Sequence, residues 1–182
     1  MMHQWSLTEV NTWDRATFVE RLGWVFEGSP WIAEAAWQAR PFASLAALHR
    51  ALVDVVHEAG KERQIALIRA HPDLVGRAAL TGSLSRESTA EQRAAGLDPG
   101  ALTDEEIARF TELNAAYRQK FSFPFVICAR EHTKATILAA FERRLNHSRE
   151  EEIAAALGEI ARIAWHRLTH AVAEHDAQGR AE

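Results

Sequence analysis

Apolar residues recur every three or four positions along most of this chain, which is the spacing of one face of an α-helix. The clearest stretch carries apolar side chains at Leu45, Leu48, Leu52, Val55 and Val56. Serine, threonine or aspartate before such a stretch, and glycine or proline after it, mark where each helix begins and ends. With these boundaries the pattern predicts helices over residues 14–22, 29–40, 44–60, 61–70, 85–95, 103–120, 133–145 and 148–174.

Two segments between these helices lack a helical pattern. Residues 74–84 are interrupted by glycine and are predicted to be irregular. Residues 121–129 are apolar and aromatic, and Pro124 interrupts them, so they are predicted to form an extended connector. Strand patterns are too few for a sheet. The predicted fold is therefore all-α, a single-domain bundle of about eight helices over residues 1–182 with its core at about 12–172.

The composition excludes several classes of protein. The net charge of the 182 residues is -4, so no basic surface argues for nucleic acid, and no apolar run has the length of a membrane span. Cys128 is the single cysteine, which excludes an internal disulfide and a cysteine-based zinc site. Residues 1–12 lack the cationic start and apolar core of a secretory signal. We therefore expect a cytoplasmic protein that binds neither nucleic acid nor a membrane.

A candidate site begins at the segment Arg69-Ala70-His71-Pro72-Asp73-Leu74. The ring of Pro72 disfavours helical backbone angles at His71, so the histidine is predicted at the exit of helix 61–70 on a stiff backbone. A fixed imidazole can transfer protons near neutral pH. The simpler alternative is that His71 only satisfies the last carbonyl groups of the helix.

Glu91, twenty residues after the histidine, is a second candidate. Ser88-x-x-Glu91 and Thr89-x-x-Gln92 both match a capping box, and taken alone this pattern makes helix capping the simpler explanation. However, Glu91 shares its helical face with small residues, so a ligand could come close to its carboxylate.

Arg167 is a candidate because of its position on the last predicted helix. At about 100° per residue, Arg167 falls about 20° from Ile160, inside the apolar stripe, whereas Arg162 falls on the opposite face. A guanidinium on an apolar face must be paired or must contact a ligand, since an unpaired buried charge is very costly. An internal ion pair, or a stem that extends to water, is the more common explanation.

Three polar residues near the end of the same helix could form a metal site. His166 and His170 lie one helical turn apart, and Glu174 follows at the next turn. Such a spacing can bind a metal ion. Because the carboxylate lies at the helix end, where helices fray, we interpret these residues as a polar face and expect no metal.

The connector itself is a candidate binding surface. Cys128 lies in the apolar run Phe125-Val126-Ile127-Cys128-Ala129, and a buried, inert thiol is its expected state. An extended segment does not use its own backbone N–H and C=O groups, so other groups must satisfy them. A small heterocycle with amide-like edges would do so.

Several motifs occur in order along the chain: His71-Pro72-Asp73-Leu74, Ser88-x-x-Glu91-Gln92-x-x-Ala95-Gly96-Leu97, Asn114-x-x-Tyr117, the run from Phe121 to Arg130, and Glu159-Ile160-x-x-Ile163-Ala164-x-x-Arg167-Leu168. Together they resemble the OHCU decarboxylase family of urate degradation, whose substrate is 2-oxo-4-hydroxy-4-carboxy-5-ureidoimidazoline (OHCU). The resemblance spans about Thr12 to Leu168. It departs at Asp98-Pro99-Gly100, which lies outside the motifs, and at Ser122, where a glycine is expected.

The resemblance implies a cofactor-free, all-α, usually dimeric enzyme that releases CO2 and yields (S)-allantoin. It implies catalytic roles for His71 as acid or base, for Glu91, and for Arg167 as the basic anchor, with no metal. The implied substrate-binding residues are Pro72, Ser88, Thr89, Ala90, Gln92, Phe125, Val126, Ile127, Cys128 and Ala129.

Two other functions are compatible with these residues. A non-catalytic helical module that binds a purine-derived metabolite or a partner protein would explain the arginine and the connector equally well, but it would not need His71. A metal-dependent hydrolase would depend on His166 and His170. Turnover of freshly generated OHCU, with and without a chelator, separates the three functions.

Overall fold

The computed structural model describes residues 4–174, of which 69% are helical, and this confirms the all-α prediction. The α-helices in this range are α1 (Leu7–Thr12), α2 (Arg15–Leu22), α3 (Trp31–Ala36), α4 (Leu45–Glu58), α5 (Gly60–Arg69), α6 (Arg77–Leu80), α7 (Arg86–Ala94), α8 (Asp104–Phe121), α9 (Lys134–Arg144) and α10 (Arg149–Ala171). Short 3-10 helices lie at Trp37–Ala39, Pro99–Ala101 and Ala129–Glu131. None of these helices is long and apolar enough to cross a membrane.

Short elements account for most differences from the prediction. Residues Trp5–Ser6 (β1) and Val172–Ala173 (β2) pair as parallel strands, so α10 ends at Ala171 and not at residue 174. The prediction that no sheet forms was wrong for these two short strands, because two-residue strands show no alternating pattern. The four-residue α6 lies in the segment predicted to be irregular, and α1, which residues Ser6 and Glu9 cap, was not predicted.

The boundaries of the longer helices follow local capping chemistry, as predicted. The Asp14 side chain accepts the Thr17 N–H, and this bond holds the pKa of the Asp14 carboxyl below its usual value. The Thr103 and Glu106 side chains form a reciprocal capping box at the start of α8. The predicted helix 29–40 is shorter, since α3 ends at Ala36 and continues as a 3-10 turn.

The chain forms two compact units, which we describe separately. The first unit comprises the described residues up to Leu67 together with those from Ala161 onward, and the second unit comprises Ile68–Ile160. The single domain expected over residues 1–182 stays a prediction.

The first unit has a core between α2, α3 and α4. Leu48 and Leu52 of α4 are completely buried, as the apolar spacing predicted, and Val55 at the edge of the stripe is half-buried. Phe18 of α2 is also fully buried and stacks on Phe42, with ring centroids 6.1 Å apart. This packing is the ordinary burial of one helical face.

The core of the second unit is a cluster of aromatic side chains around the connector. The rings of Phe125 and Phe141 stack with centroids 3.7 Å apart, and the ring of Tyr117 meets Phe125 edge-on at 5.4 Å. Phe121 and Phe123 are completely buried in the same cluster. Residues 124–128 form neither helix nor strand, which agrees with the predicted connector. The aromatic side chains therefore anchor a non-helical segment inside a helical core.

Ser122 ends α8 in the left-handed conformation, with φ 64° and ψ 22°. Its N–H donates to the Arg118 carbonyl at 2.9 Å, and its own carbonyl accepts from Arg69 Nε at 3.0 Å. This geometry explains why a glycine is expected here, since glycine adopts positive φ without a Cβ penalty.

We expect Ser122→Gly to raise the free energy of unfolding by up to about 1 kcal/mol, because the left-handed strain disappears. Ser122→Val should lower it by roughly 1–2 kcal/mol, since a β-branched side chain fits this conformation poorly. Denaturant unfolding of both variants measures these changes. A Val variant as stable as the natural protein would contradict the strain argument.

Candidate functional site

His71 lies just beyond α5, at the helix exit that the Pro72 argument predicted. Its N–H donates to the Ile68 carbonyl at 3.2 Å, and its side chain is buried, with 7% of the residue exposed. Pro72 beside it is half-buried. The histidine therefore combines a restrained backbone with a buried imidazole.

The turn that follows His71 is held by side chains of α7 and α8. Gln92 of α7 accepts the Val75 N–H at 3.0 Å through Oε1, and its Nε2 lies 3.5 Å from the Asp73 carbonyl oxygen. Asn114 of α8 donates from Nδ2 to the Leu74 carbonyl at 2.8 Å. Both amide side chains are buried. Backbone groups in this turn thus bond with side chains instead of with a helix.

The turn is also tight and strained. Val75 has φ 50°, which is rare for a β-branched residue. A Cβ on Gly76 would lie 2.6 Å from the Asp73 Cβ, so only glycine fits there. Arg118 Nε lies 3.0 Å from each Asp73 carboxylate oxygen, although this ion pair is substantially exposed. Strain of this kind persists only where the surrounding contacts determine it.

Glu91 lies within α7, several residues after the helix begins. The N-cap of α7 is Ser85, whose side chain accepts the Ser88 N–H at 3.2 Å. Ser88 is thus already inside the helix, and the capping explanation for Glu91 is wrong, because Ser88 does not occupy the N-cap position. Glu91 is half-buried next to buried Gln92. Its carboxylate therefore needs another explanation than capping.

Thr89 and Ala90 of the same helix are less suited to binding a ligand. Both residues are exposed, and the Thr89 hydroxyl donates to the Ser85 carbonyl at 2.9 Å. Their predicted binding roles stay predictions.

The connector residues Phe125–Ala129 are all buried, and side chains hold two of their backbone groups. The Val126 carbonyl accepts from Arg144 Nη1 at 2.8 Å, and the Cys128 N–H donates to the Glu159 carboxylate at 2.8 Å. Within residues 4–174, no hydrogen bond reaches the N–H or C=O of Ile127, which lies between them. This buried peptide is therefore a candidate for hydrogen bonds to a ligand with amide-like edges.

Arg144 belongs to a buried polar network centred on Glu152, which is completely inaccessible to solvent. Arg144 Nη2 donates to Glu152 Oε2 at 2.8 Å, and Nδ1 of half-buried His147 lies 2.8 Å from Oε1. The Tyr117 hydroxyl donates to the same carboxylate. Burial, together with that bond, raises the pKa of Tyr117 well above its ordinary value. The buried charge is therefore fully compensated by hydrogen bonds.

Sequence reasoning did not single out this network, although a signal existed. Glu152 lies in a run of three glutamates, which resembles a solvated first turn of a helix. On the helical projection it falls about 80° from Ile160, at the edge of the apolar stripe. Asn114 and Tyr117 were noted only as parts of a motif.

Three segments of the candidate site come together within the second unit. Gln92 joins α7 to the turn after His71, and α7 packs against the 3-10 helix that follows the connector. These segments carry the predicted site residues His71, Pro72, Ser88, Thr89, Ala90, Glu91, Gln92, Phe125, Val126, Ile127, Cys128 and Ala129. Arg167, the remaining one, belongs to the first unit.

Arg167 is buried, with 5% of the residue exposed, as its helical phase predicted, whereas Arg162 is exposed. Arg167 Nη2 lies 2.9 Å from Glu27 Oε2, and Nη1 donates to the Trp24 carbonyl at 3.3 Å. The internal ion pair considered from the sequence therefore exists. A further role in anchoring substrate stays a prediction.

The three polar residues near the end of α10 bond in other ways than as a metal site. His170 Nδ1 lies 2.7 Å from the His166 carbonyl oxygen, and the Glu174 carboxylate accepts the Leu45 N–H at 3.3 Å. Among the described residues, the ligand atoms of these three side chains do not lie together within 4.8 Å of one another, which favours the polar-face interpretation.

Comparison with known proteins identifies the family of this chain. The family model described as OHCU decarboxylase matches residues 11–169. This chain belongs to the OHCU decarboxylase family. The resemblance found in the sequence motifs is therefore confirmed.

Relatives in the OHCU decarboxylase family match nearly the whole chain. The 2-oxo-4-hydroxy-4-carboxy-5-ureidoimidazoline decarboxylase of Haloferax volcanii is 41% identical over 167 residues, covering 92% of this chain and 96% of the relative. The enzyme of that name from Mus musculus is 38% identical over 179 residues, covering 97% and 98%. A crystal structure of (S)-allantoin synthase superposes with a TM-score of 0.73 at 29% identity, covering 93% of this chain and 54% of that one.

Proposed function

We propose that this protein decarboxylates OHCU to (S)-allantoin and CO2 in urate degradation, with His71, Glu91 and Arg167 as its catalytic residues. The observation that supports this reaction is membership of the OHCU decarboxylase family, since the family model and the named relatives cover almost the whole chain. The chain is thus a carbon–carbon lyase. The roles of individual residues rest on the resemblance and on the contacts described above.

The reaction can proceed without a cofactor. Loss of CO2 leaves an electron pair, and the C=N bond beside the carboxylated carbon of OHCU can accept it. The protein then has to orient the substrate, balance its charge and deliver one proton to one face of the ring. Delivery to a single face gives (S)-allantoin.

His71 is the proposed proton donor or acceptor. Histidine ordinarily titrates at a pKa of about 6.5, so it can exchange protons near neutral pH. In this protein the imidazole is buried and precedes a turn held by Gln92 and Asn114. A restrained imidazole loses less freedom when it reaches the geometry for proton transfer.

Glu91 and the connector backbone are proposed to bind the ring and ureido groups. Glu91 can accept a ureido N–H, and the Gln92 amide nitrogen has a second N–H to donate besides the one directed at the Asp73 carbonyl. The N–H and C=O of Ile127 match the C=O and N–H of the substrate's ring amide. Because these backbone groups are buried, leaving them unbonded is costly, and a matching ligand edge removes that cost.

Arg167 is proposed to hold an anionic or carbonyl oxygen of the substrate. A guanidinium carries five N–H donors in a planar fork, and this geometry matches the oxygens of a carboxylate or carbonyl group. Charge-assisted hydrogen bonds of this kind are among the strongest available.

The reaction is tested with freshly generated OHCU, by following optical rotation with and without chelator. The natural protein should accelerate formation of (S)-allantoin, and chelator should not slow it. His71→Asn should fold normally and lose on the order of 10²-fold or more in activity, the usual size of a general acid–base contribution. Racemic allantoin at the spontaneous rate from the natural protein would refute the reaction and favour a binding module. A fully active His71→Asn protein would contradict only the catalytic role of His71 and not the reaction itself.

The Glu27–Arg167 pair allows a test that separates stability from substrate binding. Arg167→Met leaves the Glu27 carboxylate without its partner, so we expect a lower Tm and lower activity. Adding Glu27→Gln removes the stranded charge and should restore much of the Tm. If Arg167 anchors substrate, kcat/KM should stay at least 10-fold low in the double variant.

Arg162→Met is the matched control on the exposed face of the same helix, and it should change neither Tm nor kcat/KM appreciably. A double variant that regains full activity would limit Arg167 to its ion pair. A folded but inactive Arg162→Met protein would overturn the choice of arginine.

We also propose that residues 1–182 act as one OHCU decarboxylase domain, as a homodimer in the cytoplasm. The family model, which spans most of the chain, supports one domain, and the resemblance supports the dimer. The single cysteine fits a reducing compartment. Light scattering on the purified protein should give twice the mass of one chain. A mass equal to one chain at micromolar concentration would contradict the dimer.

A further inference from the structure

Asn114 is a buried polar residue that the reaction described above does not use. It lies on α8 with 7% of the residue exposed, and its Nδ2 donates to the Leu74 carbonyl at 2.8 Å. Its Oδ1 is buried and accepts no hydrogen bond within the part of the chain described. A buried acceptor without a donor destabilises a protein, and leucine would fill much the same space without that penalty. Packing alone therefore does not explain an asparagine at this position.

The side-chain hydrogen bond of Asn114 to Leu74 holds a turn whose backbone is strained. Leu74 lies directly before Val75, which has φ 50°, and Val75 is completely enclosed by its neighbours. Gln92 bonds with backbone groups on both sides of Leu74. Asn114 thus supplies the remaining restraint on the carbonyl between them. A left-handed valine persists only where such restraints outweigh its strain.

The same turn connects directly to His71. Only Pro72 and Asp73 separate His71 from Leu74, and proline restricts the backbone on its amino-terminal side. A shift of the Leu74 peptide is therefore transmitted to the histidine instead of being absorbed by a flexible segment.

We propose that Asn114 is a positioning residue for His71, which acts by holding the Leu74 carbonyl and hence the strained turn that orients the imidazole. This inference rests on the proposed acid–base function of His71. Displacement of a reacting group by about 1 Å can cost about 10²-fold in rate. Because Asn114 holds the backbone of the turn and not the substrate, its loss should affect kcat more than KM.

The test is Asn114→Leu, assayed for Tm, kcat, KM and hydrogen exchange. Tm should stay within a few degrees of the natural value or rise, since the unsatisfied acceptor is gone. The kcat value should fall by about 10- to 100-fold with KM changed less than about threefold. The Val75 N–H should exchange faster, because the turn that presents it to Gln92 is loosened.

Leu113→Ala is the matched control, since Leu113 is the neighbouring buried residue on α8, with 3% exposed. Its cavity should lower Tm by about 5 °C or more. At a temperature where the variant is folded, its kcat and the exchange of Val75 should remain natural. Asn114→Leu is thus expected to lower activity without lowering stability, and Leu113→Ala is expected to lower stability without lowering activity. Asn114→Ala, which introduces no bulk, replaces Asn114→Leu if the latter does not fold.

Three outcomes decide the inference. If the natural protein is active and both Asn114 variants keep kcat within twofold, the positioning role is overturned. If Leu113→Ala loses kcat as severely, the effect is general to α8 and the role is likewise overturned. If the natural protein does not accelerate the reaction, the proposed function fails, and the exchange rate of Val75 still decides whether Asn114 holds the turn.

Discussion

The buried carboxylate of Glu152 is the constraint on which much of the second unit depends. A charge with no exposure to water is tolerated only when several donors surround it. Its donors come from separate segments, namely Tyr117 of α8, Arg144 of α9 and His147 of the following loop. These segments must meet at one point, and Arg144 has a further N–H that reaches the Val126 carbonyl. The compensation of one charge thereby determines where the connector lies.

A helical protein ordinarily has few backbone amides to offer a ligand, because its helices use them internally. Two non-helical segments that carry predicted site residues have backbone groups that bond with side chains: the turn after His71 and the connector at residues 124–128. Side-chain bonds hold both segments in place without forming a regular ladder, and Ile127 in the connector is left unbonded within the described residues. The fold thus supplies backbone donors and acceptors in two segments that carry predicted site residues, a useful arrangement for a flat, amide-rich substrate.

Arg167 shows how one residue can satisfy two explanations. Its helical phase places it in an apolar stripe, where a charge needs a partner, and Glu27 provides one. An arginine held by a structural ion pair is also pre-organised, since its side chain has already lost its rotamer freedom. Structural pairing and substrate binding are therefore compatible, and burial by itself does not distinguish them.

The sequence alone determined those features that local chemistry controls. Helix periods, N-caps such as Thr103, the exit of α5 before His71 and the burial of Arg167 all depend on residues within a few turns. Tertiary structure decided the rest. Glu91 matches a capping pattern, yet the helix begins at an earlier serine, and no local rule pairs Glu152 with Tyr117, which lies 35 positions away. The packing of whole elements decides such partners, because a buried charge must be bonded by donors and the fold determines which donors lie within reach.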